Sequence, residues 1–240
     1  MSTNRFQPRV CLLVFARTPR IGMVKTRMES VLSQHQCFLL HEALLRHTLS
    51  KVAGWALEGM ERFVFFTFPL GQPPQLEIPK NISVDTQLGL DLGERMTHAL
   101  QEKWGKGFRK ILFIGTDSPL LEQTDVETAV RALDDHKVVI GPATDGGYYL
   151  IGFSAPESGV FSGIEWGTAR VYQQTVNQMR RHSLRWHALR ENFDLDTYGD
   201  LLKFLRLRSP SQPMNPASSL DSLFILIEGF VRQYPKENCL

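Results

Sequence analysis

A few acids, two cations and a tryptophan along this chain have the types and spacing for transfer chemistry on a charged donor. Asp117 stands in Ile114-Gly-Thr-Asp-Ser-Pro119, directly after the apolar run Ile111 to Ile114. That run reads as a strand buried on both faces, since a covered parallel sheet needs no polar alternation. An acid at the carboxyl end of such a strand sits where open α/β sheets bind ligands; its plainer role is an Asx cap of the turn. No Cys or His cluster lies near it in sequence, which argues against zinc. A hard cation, Mg²⁺ or Mn²⁺, held by one or two carboxylates and substrate phosphates, fits better. The second carboxylate would be Asp194 or Asp196, which point the same way if the segment is extended. Asp196 otherwise only helps cap the following helix.

Lys25 and Arg27 present cations just as a helix is expected to begin, where free backbone N–H groups also favour anions. A phosphate is their natural guest, and pairing with surface carboxylates is the alternative. Gly22-Met-Val-Lys25-Thr26 is a P-loop only superficially, because Val24 stands where glycine must precede the lysine. Asp145-Gly146-Gly147 is either a plain hairpin turn or a flexible approach to a ligand, with Asp145 holding or deprotonating an acceptor hydroxyl. Trp166 is either a buried aromatic or a platform for a sugar or base.

The elements that must position these residues alternate between strand and helix. Val10 to Ala16, Phe63 to Phe68, Ile82 to Val84, Ile111 to Ile114, Val138 to Ile140, Tyr148 to Phe153 and Leu184 to Leu189 read as strands. A helix in two pieces is expected after the first loop, with Phe38, Leu45, Leu49 and Val52 on one face, and another runs to about Trp104. Another opens at Thr124 with Glu127 as its capping partner. Others run to about His182 and from the Thr197–Asp200 cap to about Arg208. Residues 209–219 read as a linker after a domain at 1–208, and 220–240 as a C-terminal helix packed on that domain. Alternation of this kind predicts an α/β protein with a mainly parallel sheet. In such a sheet the segments 17–27, 87–95, 115–118, 143–147 and 192–196, each following a strand, share one edge and converge on one cleft.

The bulk numbers exclude other classes. Over 240 residues, a hydrophobic content of 42%, a charged content of 22% and a net charge of +2 give no case for a nucleic-acid binder. The apolar run Val10 to Ala16 is shorter than the roughly 20 residues of a membrane span. Three widely spaced cysteines, Cys11, Cys37 and Cys239, suit a reduced, cytoplasmic chain.

Taken together, Pro19-x-x-Gly22-x-Val24-Lys25-Thr26-Arg27-Met28, Gln87-x-Gly89-x-Asp91-Leu92-Gly93-x-Arg95-Met96, Ile114 to Pro119, Gly141-Pro-Ala-x-Asp-Gly-Gly-Tyr-Tyr-Leu150, Ile164-x-Trp166-x-Thr168 and Asp194-Leu-Asp-Thr197 resemble a bacterial family. It is the family of nucleotide-diphospho-sugar transferases of GT-A-like fold, long filed as a domain of unknown function. More distantly the pattern is similar to phospholactate guanylyltransferase and molybdenum-cofactor nucleotidyltransferases. The resemblance implies a three-layer α/β/α, Rossmann-like domain with Asp117 as its metal-binding acid, and Asp196 is expected as the second ligand. Nucleotide and phosphate contacts are expected from Ala16, Arg17, Lys25, Arg27, Gln87, Gly89, Arg95 and Thr116. Asp145 and Asp194 would be catalytic, with Gly146, Gly147 and Trp166 toward the acceptor or sugar. The expected activity is metal-dependent transfer of a glycosyl group from a nucleotide-diphospho-sugar to a small acceptor, by a monomer or weak homodimer. The alternatives are a nucleotidyltransferase joining an NTP to a phosphorylated molecule, or a non-catalytic nucleotide binder. Thr-Asp-Ser replaces the familiar Asp-x-Asp, and the first loop is poorer in glycine than a triphosphate loop.

Overall fold

The computed structural model describes residues 9–57, 59–67, 76–208 and 213–233. The lead-in before residue 9, Phe68, most of the proline-rich loop 69–79, the start of the 209–219 linker, the tail after 233 and Cys239 lie outside them.

The strands are β1 (Val10–Ala16), β2 (Met60–Phe66), β3 (Ser83–Thr86), β4 (Lys110–Ile114), β5 (Val138–Pro142), β6 (Tyr148–Phe153) and β7 (Trp186–Ala188). They form one sheet in the order β3-β2-β1-β4-β6-β5-β7. Pairings β1–β2, β1–β4, β2–β3 and β5–β7 are parallel. Only β6 runs against its neighbours, β4 and β5. Every other strand therefore points its carboxyl end to the same edge.

The helices are α1 (Gln34–Gly54), α2 (Leu92–Gly105), α3 (Gln123–Ala132), α4 (Val171–Arg181), α5 (Tyr198–Arg206) and α6 (Ser219–Gln233). Side-chain alternation along β1 sorts them into layers. Leu12, Val14 and Ala16 pack with Leu45, Leu49 and Val52 of α1 and Val126 and Ala129 of α3. Cys11 and Leu13 pack on the other face with Met96, Ala99 and Leu100 of α2 and Met179 of α4. The architecture is thus the three-layer α/β/α arrangement that the resemblance implies, built on the mainly parallel sheet expected from the strand–helix alternation. A second apolar stripe of α1, through Cys37, Leu40 and Leu44, meets Leu201 and Phe204 of α5 and Leu223, Phe224 and Ile227 of α6. The Phe204 and Phe224 rings stack at 4.2 Å. Among the described residues no helix is long and apolar enough to cross a membrane.

Boundaries differ where capping chemistry competes. Helix α3 begins before Thr124: Glu122 is its N-cap, and the Asp125 carboxylate accepts from the Glu122 N–H at 2.9 Å. The reciprocal acid three residues on is thus Asp125, and Thr124 lies one position inside the helix. Thr197 and Asp200 do form the expected capping box of α5.

His47 ties the back of α1 to the loop that carries Asp117. Its Nε2 donates to the Pro119 carbonyl at 3.0 Å, which leaves Nδ1 to accept from the Ser219 hydroxyl at 2.9 Å. Burial lowers the imidazole pKa to about 4. The folded state therefore resists the proton that the unfolded chain takes up near pH 6.5, so stability falls as pH drops from about 6.5 toward 4. A decline of about 3 kcal/mol over that window is expected from this group. In thermal melts, His47→Gln should flatten the acid limb; an unchanged limb would contradict this assignment.

Candidate functional site

Five strand-following segments meet in a cleft of about 390 Å³ at the carboxyl edge of the sheet. It is lined by Ala16, Arg17, Lys25 and Arg27 from the first loop, Gln87 and Arg95 from the third, and Thr116 and Asp117 after β4. Asp145 and Gly147 come from the β5–β6 turn, Trp166 from the loop before α4, and Asp194 and Asp196 from the segment after β7. Two of the expected residues stand elsewhere. Gly89 lines a neighbouring groove, and Gly146 packs its Cα face on the Ala169 carbonyl.

Lys25 occupies the centre. Its side chain is 4% exposed, and Nζ lies 2.8 Å from Asp117 Oδ1 and 2.9 Å from Asp196 Oδ1. It also donates to the Leu195 carbonyl at 2.6 Å. Its backbone is left-handed, with φ 51, a conformation costly for a residue with a Cβ. The ion pairs offset that cost. Burial would lower the ammonium pKa, but the charges of Asp117 and Asp196 outweigh it and the net shift is upward. Burial likewise opposes ionisation of Asp196, yet Lys25, Arg27 and Arg17 hold its carboxyl below the usual range. The lysine thus pairs with carboxylates of the cleft itself and not of the surface.

Asp117 Oδ1 is buried against the Lys25 ammonium, with no other hydrogen-bond donor among the described residues. The segment carrying Asp194 and Asp196 is anchored beside it, because the Leu195 N–H donates to the Asp117 carbonyl at 2.9 Å. Asp194 accepts from the Ser118 hydroxyl. Burial, with the neighbouring charges of Asp117, Asp145 and Asp196 adding to it, pushes the Asp194 carboxyl up to about 7, against the pull of Ser118. An acid poised there can take or give a proton near neutrality.

The rest of the rim is braced by hydrogen bonds. Gln87 donates to the Ala16 and Phe65 carbonyls at 3.0 and 2.8 Å, stitching the ends of β1 and β2 together. Arg95 Nε donates to the Gly89 carbonyl at 3.0 Å. Arg27 donates to the Gly167 carbonyl at 2.6 Å, beside Trp166, and is half exposed to the cleft. Trp166 is half-buried against Phe161 and Tyr148, so it is packed and cleft-facing at once. Asp145 Oδ1 accepts from the Gly147 N–H at 2.8 Å in the turn joining antiparallel β5 and β6. The segment is thus a hairpin turn that also brings Asp145 and Gly147 to the cleft wall.

That turn depends on Gly146. Its φ is +89, and a Cβ there would fall 2.1 Å from the Ala169 carbonyl oxygen. Gly146→Ala is expected to cost about 2 kcal/mol, a drop of roughly 4–8 °C in Tm. Calorimetry reads this directly, and an unshifted Tm would mean the turn does not lean on Ala169.

His41 also lines the cleft and was not among the residues foreseen. It is buried, with Nε2 at 3.0 Å from the Arg17 carbonyl, and so holds the first loop. The signal was weak: a polar residue on the apolar face of α1, which reads as core. Ser118 and the Leu195 carbonyl were likewise missed as partners.

Three comparisons bear on this geometry. No curated protein matches the chain. A crystal structure of a proposed nucleotide-diphospho-sugar transferase from Desulfovibrio desulfuricans G20 superposes with a TM-score of 0.82 and 33% identity, covering 95% of this chain and 99% of that one. A cytidylyltransferase from Leptospira borgpetersenii serovar Hardjo-bovis shares the fold at a TM-score of 0.51 and 14% identity, over 95% and 99% of the two chains. CMP:2-keto-3-deoxy-manno-octonic acid synthetase complexed with CTP does so at 0.51 and 11%, over 83% and 98%. The model of the bacterial family described as uncharacterised conserved proteins, DUF2064, matches residues 48–168, a span from mid-α1 to the loop before α4, and with the 33% identity of the Desulfovibrio protein over nearly the whole chain this shows that the chain belongs to that family.

Proposed function

We propose that this chain is a metal-assisted transferase that takes a nucleotide-diphospho-sugar as donor and passes its glycosyl group to a small acceptor. The observation that carries the reading is the meeting of Arg17, Lys25, Arg27 and Arg95 with Asp117, Asp145, Asp194 and Asp196 in one cleft. The name of the Desulfovibrio protein supports it; the more distant neighbours lend only their fold. Function on this scaffold is argued from the site, because one fold hosts many chemistries.

Among the described residues no three His, Cys, Asp or Glu side chains form a ready cluster for a metal. The donor set nonetheless suits a hard cation that takes its remaining oxygens from phosphate and water. Asp117, Asp196 and the Leu195 carbonyl converge on the point that the Lys25 ammonium fills, so a cation would take that place as the ammonium turns to the donor phosphates. Asp117 and Asp196 would hold Mg²⁺ or Mn²⁺, which would offset charge growing on a diphosphate leaving group.

The chain's own groups do the rest. Lys25 and Arg27 bind and orient the diphosphate. The acceptor hydroxyl attacks the anomeric carbon as the bond from that carbon to the diphosphate oxygen breaks, releasing a nucleoside diphosphate. Asp194 or Asp145 receives the hydroxyl proton, and the acidity of Asp194 suits the task near pH 7. Trp166 offers its indole to the sugar.

A panel of radiolabelled nucleotide sugars and NTPs, each with Mn²⁺, tests the reading. Release of nucleoside diphosphate from a nucleotide sugar is expected. Pyrophosphate release from an NTP, with every nucleotide sugar left intact, would replace it with nucleotidyl transfer. Nucleotide binding with no turnover of either class would leave a non-catalytic binder.

A further inference from the structure

A second groove, of about 570 Å³, lies between α2 and the segment 158–163. Its α2 wall is Glu94, Thr97, His98 and Gln101, spaced so that all project from one face of the helix. The opposite face of α2 carries Met96, Ala99 and Leu100 into the core. The polar stripe thus looks onto another element of the protein, where Ser158 and Ser162 complete the lining.

Much of this polar surface is uncommitted. Asp91 Oδ1 caps α2 by accepting from the Glu94 N–H, and Glu94 Oε2 accepts from the Leu90 N–H. Among the described residues, the side chains of Thr97, His98, Gln101, Ser158 and Ser162 make no hydrogen bond within the protein. Hydroxyls, a carboxamide and an imidazole therefore line one recess as open donors and acceptors. Among the lining residues there is no Lys or Arg, whereas the cleft has four such cations. The linings therefore differ in what they suit: the cleft's cations suit phosphate, and the groove, with Asp91 and Glu94 but no Lys or Arg, suits a neutral or amine-bearing polyol. Leu88, 52% exposed on the groove's edge, offers an apolar surface for the C–H face of a sugar ring.

The partition between the two is thin. A Cβ on Gly93 would lie 3.0 Å from Trp166 Nε1 and 3.1 Å from the Phe161 carbonyl. Gly93 lines the groove and Trp166 lines the cleft. A ligand in the groove is therefore one indole away from the donor site.

We propose that this groove is a subsite for a neutral or amine-bearing saccharide, holding the part of the acceptor remote from the reacting hydroxyl. Its placement on the acceptor side rests on the transferase reading; its ligand class rests on the lining alone.

Saturation-transfer NMR on the full chain without nucleotide tests it, with maltose, the glucosamine disaccharide and the anionic sugar acid lactobionate as probes. The first two should bind, and lactobionate at least tenfold more weakly. Thr97→Phe, which fills the groove, and Gln101→Ala, a milder change on the exposed helix surface, should each weaken binding tenfold or more at unchanged Tm. Absence of binding by both neutral and aminated probes would overturn the subsite, as would equal binding of lactobionate or binding indifferent to both variants. The two readings fail separately. Saccharide binding without donor turnover would leave the groove and remove glycosyl transfer, whereas transfer with an acceptor KM untouched by Thr97→Phe would do the reverse.

Discussion

Lys25→Ala is expected to lower the melting temperature by roughly 4–8 °C, and Mn²⁺ should restore most of that loss. The ammonium is the hub of the cleft: it meets Asp117, Asp196 and the Leu195 carbonyl within 2.9 Å. Removing one partner of a fully buried ion pair costs about 3–5 kcal/mol, mostly from the charge left behind. Here the carboxylates are 39% and 22% exposed, so water screens part of the cost and about 2 kcal/mol is the better figure. For a chain of this size that corresponds to the stated range in Tm. The variant leaves oxygens facing one point with no cation among them, the donor type that Mn²⁺ takes. A ligand that binds only the folded form raises its stability in proportion to the logarithm of its concentration over Kd. In the wild type the ammonium already fills that point, so free Mn²⁺ should shift its Tm much less. Acid should narrow the gap between the two proteins. The ion pair holds the folded pKa of Asp196 below its ordinary value, so its contribution is present above about pH 4 and fades as pH falls through the folded value. Activity should drop at least 100-fold, since a positioned cation that meets developing phosphate charge is worth that much. Equal Mn²⁺ shifts in both proteins would show that Lys25 does not compete for the site.

The sequence carried the strand ends well and their surroundings poorly. Ile111 to Ile114 are almost wholly buried, because a central strand covered on both faces has no freedom to place a polar residue. Parallel direction then did the rest: segments far apart in the chain had to leave the sheet at one edge, and Asp117, Asp145 and Asp194 duly line one cleft. What stayed hidden depends on three-dimensional partners. His41 looks like any core position of α1 until its Nε2 is seen on the Arg17 carbonyl. The Lys25 ammonium bridges residues at 117 and 196, a separation over which spacing carries no geometric information. Strand order was hidden too: Tyr148 to Phe153 is legible as a strand, but nothing in its pattern says that it inserts antiparallel between β4 and β5. Gly89 sits beside the cleft and not in it, since Arg95 pulls the loop backbone against the start of α2.

Asp117→Asn separates fold from chemistry in the opposite sense to Lys25→Ala. The substitution keeps the shape of the side chain, and Lys25 retains Asp196 and the Leu195 carbonyl as partners. The backbone tie from the Leu195 N–H to the Asp117 carbonyl is also untouched. A stability loss of about 1 kcal/mol is therefore expected, the worth of one charge-assisted contact at a partly exposed carboxylate. Transfer should fall far more, by 100-fold to 1000-fold, because Asp117 is the cleft carboxylate proposed to hold a cation on the donor diphosphate. Titration calorimetry with a nucleoside diphosphate and Mn²⁺ distinguishes the possibilities. Weakened, metal-insensitive nucleotide binding alongside lost turnover supports a metal-assisted transferase. Nucleotide binding at wild-type strength with the same response to Mn²⁺ would remove Asp117 from the metal site. If, in addition, neither protein turned over any donor, the cleft would be a nucleotide sensor built on a transferase scaffold.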